Sequence, residues 1–282
     1  MSLVVFTGFV GMFLAPGELH YVLQIVAIIC IAVGAGASGA INMWFDRDID
    51  QIMSRTRSRP IPSGRVNPEA ALTFGVVLSG GSIMIMGLAV NWLASFLLAA
   101  TIAFYIFIYT VWLKRSTPQN IVIGGAAGAL PPVIGWAAIS GSVALDPIIL
   151  FALIFIWTPP HFWALALYRS DDYEAAGVPM LPVTHGLQET RRQILIYSSI
   201  LFLVSLLPYL VGMAALTYFI VAVVMGALFL ILAWRVFRLG LVKSCKQLFG
   251  FSIVYLFVLF LALLTDKAIG LPYPLELAKV LY

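Results

Sequence analysis

The stretch Tyr21-Val22-Leu23-Gln24-Ile25-Val26-Ala27-Ile28-Ile29-Cys30-Ile31-Ala32-Val33-Gly34-Ala35-Gly36-Ala37-Ser38-Gly39-Ala40-Ile41-Asn42-Met43-Trp44-Phe45-Asp46-Arg47-Asp48-Ile49-Asp50 decides the fold. Its first part carries no charge and is long enough to cross a hydrocarbon core of ~30 Å, which takes about 20 apolar residues. Charge then arrives abruptly, on the same helical repeat. Asn42, Asp46 and Asp50 are spaced by four, so on a helix they drift only about 40° per step and stack along one face. That face offers two carboxylates and an amide oxygen, hard ligands suited to Mg²⁺ completed by waters and substrate phosphates. Asp48 points elsewhere, towards pairing with an arginine.

The same pattern of apolar run and polar break repeats along the chain. Runs of spanning length fall at about 20–42, 70–90, 93–113, 119–139, 147–168, 193–213, 216–237 and 249–265. A shorter one, about 13 residues long, ends at Ala15-Pro16-Gly17. The expectation is an all-α membrane protein of nine transmembrane helices around a central cavity, in a single domain over 1–282. At about 13 residues the first run is shorter than a span, so its helix is either tilted and incomplete or lacks a short N-terminal piece, and the second is the expectation.

Composition agrees. The 282 residues are 62% apolar and only 10% charged, with 16 basic and 12 acidic side chains, whereas soluble domains carry roughly 25% charge. An ordinary soluble enzyme, a disordered chain and a disulfide scaffold are excluded. Cys30 and Cys245 sit in or beside apolar runs without metal-binding spacing.

The basic residues alternate with the runs. Breaks near 15–19, 91–92, 140–146 and 214–215 have none. The others hold Arg47, Arg55, Arg57, Arg59 and Arg65, then Lys114 and Arg115, then Arg169, Arg191 and Arg192, then Arg235, Arg238, Lys243 and Lys246. Only Lys267 and Lys279, at the C-terminal end, fall on the opposite side. The positive-inside rule makes the arginine-rich side cytoplasmic and the C-terminal tail external. The net charge is +4, but fourteen of the 16 basic residues are divided among four loops, which does not form a nucleic-acid surface.

The loop Arg55-Thr56-Arg57-Ser58-Arg59-Pro60-Ile61-Pro62-Ser63-Gly64-Arg65 places guanidiniums beside the acidic face, where they can grip phosphate oxygens. The same charges also serve topology. Lys114 and Arg115 add two cations at that membrane level, as anchor or phosphate contact. A second, fainter constellation of Arg169, Asp171, Asp172 and Glu174, followed by Pro179, Pro182 and Gly186, repeats the order of acids, prolines and glycine. This suggests four-helix halves at about 1–115 and 119–240, with a ninth helix at about 249–265 and one acidic cluster from each half facing a shared cavity. Pro131-Pro132 interrupts an apolar run, consistent with a kink beside a cavity. His161, within Trp157-Thr158-Pro159-Pro160-His161-Phe162-Trp163, is an ionisable group inside a span. A haem ligand, a general base and a hydrogen-bonded structural residue are all open readings for it.

The Asn42/Asp46/Asp50 motif, followed by Arg59-Pro60-Ile61-Pro62-Ser63-Gly64, resembles the UbiA-type intramembrane prenyltransferases. Within them, Tyr109-Thr110-Val111-Trp112-Leu113-Lys114-Arg115, the Asn120–Trp136 stretch, the segment around His161 and Asp172-Tyr173-Glu174-Ala175-Ala176-Gly177 are most similar to the haem-modifying branch. The resemblance covers residues 3 to about 265. It implies transfer of farnesyl from farnesyl diphosphate to haem b, with water added, to give haem O for respiratory terminal oxidases. Mg²⁺ would be held by Asn42, Asp46, Asp50 and Asp172, and diphosphate by Arg59, Tyr109, Lys114, Arg115 and Arg169. The setting implied is a bacterial inner membrane, with the site facing the cytoplasm and haem A synthase or terminal oxidase assembly as partner. Many relatives carry a second Asp four positions after the first in the second motif; here that position is Ala176. The same machinery acting on an aromatic acid or quinone precursor, and a non-enzymatic haem or ion carrier, are the rival readings.

Overall fold

The computed structural model describes residues 2–270; Lys279 and the rest of the tail assigned above to the outer face lie outside them. Every regular element among the described residues is helical. The order is α1 (Ser2–Leu14), α2 (Tyr21–Phe45), α3 (Arg47–Ile52), α4 (Pro68–Val90), α5 (Trp92–Ser116), α6 (Asn120–Ser140), α7 (Leu145–Leu167), α8 (Ser170–Ala175), α9 (Leu181–Thr184), α10 (Gly186–Leu210), α11 (Leu216–Leu239) and α12 (Val242–Ile269). Eight of these are long and apolar enough to cross a membrane. The nine expected helices are thus eight full spans plus α1, which at 13 residues is shorter than a span.

The bundle closes through small residues. Lipid tails are as apolar as leucine, so membrane helices gain contact mainly by close approach. A Cβ on Gly11 of α1 would lie 2.2 Å from the Pro132 carbonyl oxygen of α6, and one on Gly135 would lie 2.0 Å from the Gly8 carbonyl oxygen. Each helix thus presents a glycine to the other's backbone. Leu130 joins the two parts of α6, Asn120–Ala129 and Pro131–Ser140, so the paired prolines begin a new helical segment.

α6 and α7 are the inner helices. The most apolar part of each is 67% buried, against 22–28% in α4, α5, α10 and α11. The outer helices instead expose large side chains such as Phe74, Leu88, Phe96, Phe107, Leu203 and Ile231, the surface expected against lipid. α7 runs through Pro159 and Pro160 without stopping, because neighbouring helices enclose it. At the end of the bundle away from the arginines, the buried Asp266 of α12 accepts hydrogen bonds from the backbone N–H groups of Ala215 (2.8 Å) and Tyr218 (3.2 Å). It caps the first turn of α11 from another helix, where a carboxylate also complements the helix dipole.

Candidate active site

α2 ends at Phe45 and α3 begins at Arg47, but Asp46 between them keeps near-helical backbone angles. The i→i−4 ladder continues across the junction: Asp46 N–H donates to Asn42 O at 2.9 Å, and Asp50 N–H to Asp46 O at 2.8 Å. Asn42, Asp46 and Asp50 therefore share one face, as their spacing requires, and all three are buried.

Their partners come from two other segments. Asn42 Nδ2 donates to Asp46 Oδ2 (2.7 Å) and to Thr110 Oγ1 (3.1 Å). Lys114 Nζ also binds Asp46 Oδ2, while an Arg115 guanidinium nitrogen stands 3.5 Å from Oδ1. Arg59 Nη1 pairs with Asp50 Oδ2 at 2.8 Å, and Thr56 Oγ1 ties the loop to Asp50 O. Asp48 turns away and takes Arg115 in a bidentate grip at 2.7 Å per bond. That grip lowers the Asp48 carboxyl to about 2, chiefly through the Arg115 hydrogen bond.

The face of α5 that meets these acids depends on an irregularity. Residues Phe104–Leu113 form a π-helical stretch. At about 100° per residue, an α-helix would place Lys114 about 180° around from Tyr105. Bonding i→i+5 adds a residue to each turn, so Tyr105, Tyr109, Thr110 and Lys114 line up towards the site. Thr110 Oγ1 reaches back to Tyr105 O at 2.8 Å. Neither Tyr105 nor Thr110 is among the site residues expected from the sequence, although Thr110 lies in the stretch that carries the family resemblance.

A cavity of about 480 Å³ opens beneath this cluster. Asn42, Asp50, Arg55, Arg59, Tyr109 and Lys114 line its polar end. Its walls continue with Gly124, Gly125 and Gly128 of α6, Trp157, Thr158 and His161 of α7, and Leu256 of α12. Glycine is needed at 124, where a Cβ would lie 2.2 Å from the Tyr109 ring. His161 stacks on Trp157 and Phe249, with its Nδ1 2.6 Å from Ser252 Oγ.

Asp172 sits at the rim. Ser54 Oγ donates to its Oδ2 at 2.6 Å, and Arg169 lies 3.5 Å away while donating to Ser54 Oγ at 3.1 Å. The acidic segment before the second proline pair is thus fastened to the loop after the first. Asp46, Asp172, Arg115 and Arg169 stand behind or beside the cavity rather than in its wall; Asn42, Asp50, Arg59, Tyr109, Lys114 and His161 are in the wall. Ser54, Arg55 and Tyr173 complete the rim. Burial raises the Tyr173 phenol, partly offset by Arg55, so it remains a neutral donor.

The donor set fits a magnesium ion that borrows ligands from its substrate. Among the described residues no three His, Cys, Asp or Glu side chains form a ready-made cation cage. Asp46 Oδ1 is buried without a hydrogen-bond partner. One or two carboxylates plus phosphate oxygens is how Mg²⁺ is usually held.

A helical membrane bundle with a buried Asn/Asp/Asp face, cationic neighbours and an apolar chamber below defines an intramembrane prenyltransferase. The chain belongs to the UbiA prenyltransferase family, matched over residues 4–264. It is 58% identical over 275 residues to the protoheme IX farnesyltransferase of Parvibaculum lavamentivorans, covering 96% of this chain and 86% of that protein. It is 57% identical over 274 residues to the protein of the same name from Rhizobium rhizogenes, covering 96% and 86%. Among solved structures, digeranylgeranylglyceryl phosphate synthase superposes with a TM-score of 0.78 at 18% identity, covering 94% of this chain and 92% of that one. A UbiA homolog from Archaeoglobus fulgidus bound to DMAPP and Mg²⁺ gives 0.62 at 16%, covering 91% and 96%. At such identities the structures show a shared fold.

Proposed function

We propose that this chain transfers the farnesyl group of farnesyl diphosphate to haem b, with addition of water, to form haem O. The observation that carries this reading is the buried Asn42/Asp46/Asp50 face at the mouth of a largely apolar cavity. The names of the relatives at 57–58% identity support haem b as the acceptor.

Each of these groups has work in such a reaction. Mg²⁺ at Asn42, Asp46, Asp50 and Asp172 would neutralise charge on the departing diphosphate as a Lewis acid. Arg59 and Lys114 hold diphosphate oxygens from the cavity wall, and Tyr109 orients them. Arg115 and Arg169, set behind them, keep Asp48, Asp46 and Asp172 in position and add positive potential. The aromatic faces of Tyr105, Tyr109 and Trp157 shelter the allylic cation by cation–π attraction, while the apolar wall keeps early water from it. The terminal carbon of a haem vinyl group bonds to farnesyl C1 as its C–O bond to diphosphate breaks; water then adds to the cation left beside the porphyrin, and the released diphosphate takes up the proton.

The positive-inside rule supports a cytoplasmic position for the arginine-rich end, and so a site at the cytoplasmic face of a bacterial inner membrane. The product remains membrane-bound and would pass to haem A synthase or to terminal oxidase assembly. The experiment is incubation of membranes bearing the protein with Mg²⁺, farnesyl diphosphate and haem b, with product read by mass. Haem O is the expected product. Prenylated 4-hydroxybenzoate without haem O would overturn the acceptor; haem exchange between vesicles without any diphosphate release would overturn the enzyme.

A further inference from the structure

Among the described residues, His161 is the ionisable side chain of the chamber wall that the diphosphate chemistry leaves without a task. It lies six residues before the end of α7, about 9 Å along the helix at 1.5 Å per residue, and so below the acidic mouth. Its surroundings are specific. The ring stacks on Trp157 (centroids 4.3 Å, 17° between planes) and on Phe249 (4.6 Å, 22°), and meets Phe162 edge-on at 5.1 Å. Trp157 Nε1 donates to Ser252 O at 2.8 Å, locking the ring's support to α12.

The hydrogen bonds fix the tautomer. Ser252 Oγ has two close neighbours, Phe249 O and His161 Nδ1, each at 2.6 Å. A carbonyl can only accept, and a hydroxyl has one proton to give. Both contacts are satisfied only if Ser252 donates to Phe249 O and accepts from Nδ1–H. Nε2 then carries the free lone pair. Among the described residues no protein hydrogen bond engages that nitrogen, and His161 is one of the residues that line the cavity. A histidine kept only for packing would have no use for an unbonded acceptor nitrogen on an aromatic wall. A neutral imidazole with one nitrogen bonded and the other open is the usual form of a metal ligand.

We propose that His161 Nε2 is the axial ligand of the iron of the acceptor porphyrin, and that Ser252 is a positioning residue that holds the ring in the ligating tautomer. The inference rests on haem b being the acceptor. Ligation through the wall of α7 tethers the macrocycle at its centre. His161, Tyr105 and Tyr109 line the same cavity, so a porphyrin held there shares its chamber with the prenyl donor.

The test compares purified wild type, His161→Ala and Ser252→Ala. Each is titrated with ferrous haem b and separately with metal-free protoporphyrin IX, and resonance Raman reads the iron–imidazole stretch. The wild type should show that stretch. His161→Ala should lose it, and its preference for haem b over the metal-free ring should fall at least about tenfold, with added imidazole restoring the stretch. Equal protoporphyrin binding by wild type and variant shows that the chamber is intact. Ser252→Ala should keep the stretch while haem affinity drops about tenfold, the scale of a lost outer-shell partner. An unchanged stretch or an unchanged preference in His161→Ala overturns the ligand role, even if turnover falls. Wild type that releases diphosphate but binds neither porphyrin overturns the acceptor reading itself, which separates the two failures.

Discussion

Ser54 Oγ donates to Asp172 Oδ2 at 2.6 Å, joining the loop after α3 to the short helix α8 across 118 residues of sequence. Arg169 touches both partners. The two acidic segments are therefore fastened to one another. If Asp172 shares in metal binding, this clasp sets its distance from Asp50. Ser54→Ala should raise the Mg²⁺ concentration for half-maximal turnover several-fold, leaving haem b binding unchanged. An unaltered Mg²⁺ titration would separate Asp172 from the metal.

Asp46 is fully buried among Asn42, Lys114 and Arg115. Asp46→Asn preserves volume but removes the charge, leaving two cations facing an amide. Turnover should drop by about 10²–10³, the scale of losing one preorganised electrostatic contact, with the protein still eluting as a monodisperse species from detergent. Asp50→Asn should behave alike, because Arg59 then loses its partner. Activity within a few-fold of wild type would remove the metal-site argument.

Most of the bundle was legible in the sequence because membrane spans are written in uninterrupted apolar length, which needs no tertiary context. The acidic face was legible for a related reason: the i→i−4 ladder runs through the Asp46 junction, so spacing by four survived folding. The α5 wall was not. Tyr105 and Thr110 reach the site only because Phe104–Leu113 winds as a π-helix, and no composition or period in that run distinguishes it from an α-helix. Nor does sequence reveal that Asp172 is held by Ser54, or that His161 meets Ser252, since both contacts join segments 91 to 118 residues apart. The expected cationic cluster divided in the same way. Lys114 and Arg59 face the cavity, whereas adjacent Arg115 turns to Asp48, a choice made by one residue of helical rotation.

The Asp48–Arg115 pair gives a pH dependence with a definite sign. Its ordinary carboxyl value of 3.8 falls to about 2 in the folded protein, first through the Arg115 hydrogen bond. A carboxyl lowered by folding contributes stability above pH 3.8 that is lost as pH falls through about 2. The Asp48 side chain is 59% exposed, so solvent screening holds the contribution below about 1 kcal/mol. Asp48→Asn should therefore lower the melting temperature slightly and equally from pH 5 to pH 9. The difference from wild type should shrink only below pH 4. A difference that grows on acidification would contradict the pairing.

Gly128 lines both the main cavity and a second one of about 180 Å³ that continues between α1, α2, α5 and α6. Val4 and Tyr105 also border both. A Cβ at 128 would meet nothing within 4 Å, so packing does not require glycine there, unlike at 124. Alanine should even favour the helix by up to about 1 kcal/mol. What a larger side chain would change is the passage. The second chamber is bordered by Ile31, Leu98, Ile102 and Ile134, and its hydroxyls on Ser38 and Thr101 are already bonded within their own helices, so it suits a hydrocarbon tail. Gly128→Leu should then shift kcat/KM from farnesyl diphosphate towards geranyl diphosphate by at least about tenfold, since the shorter chain need not enter. Gly128→Ala should leave the preference close to wild type while raising thermal stability. If Gly128→Leu uses both diphosphates in the wild-type ratio, the prenyl tail lies along another wall.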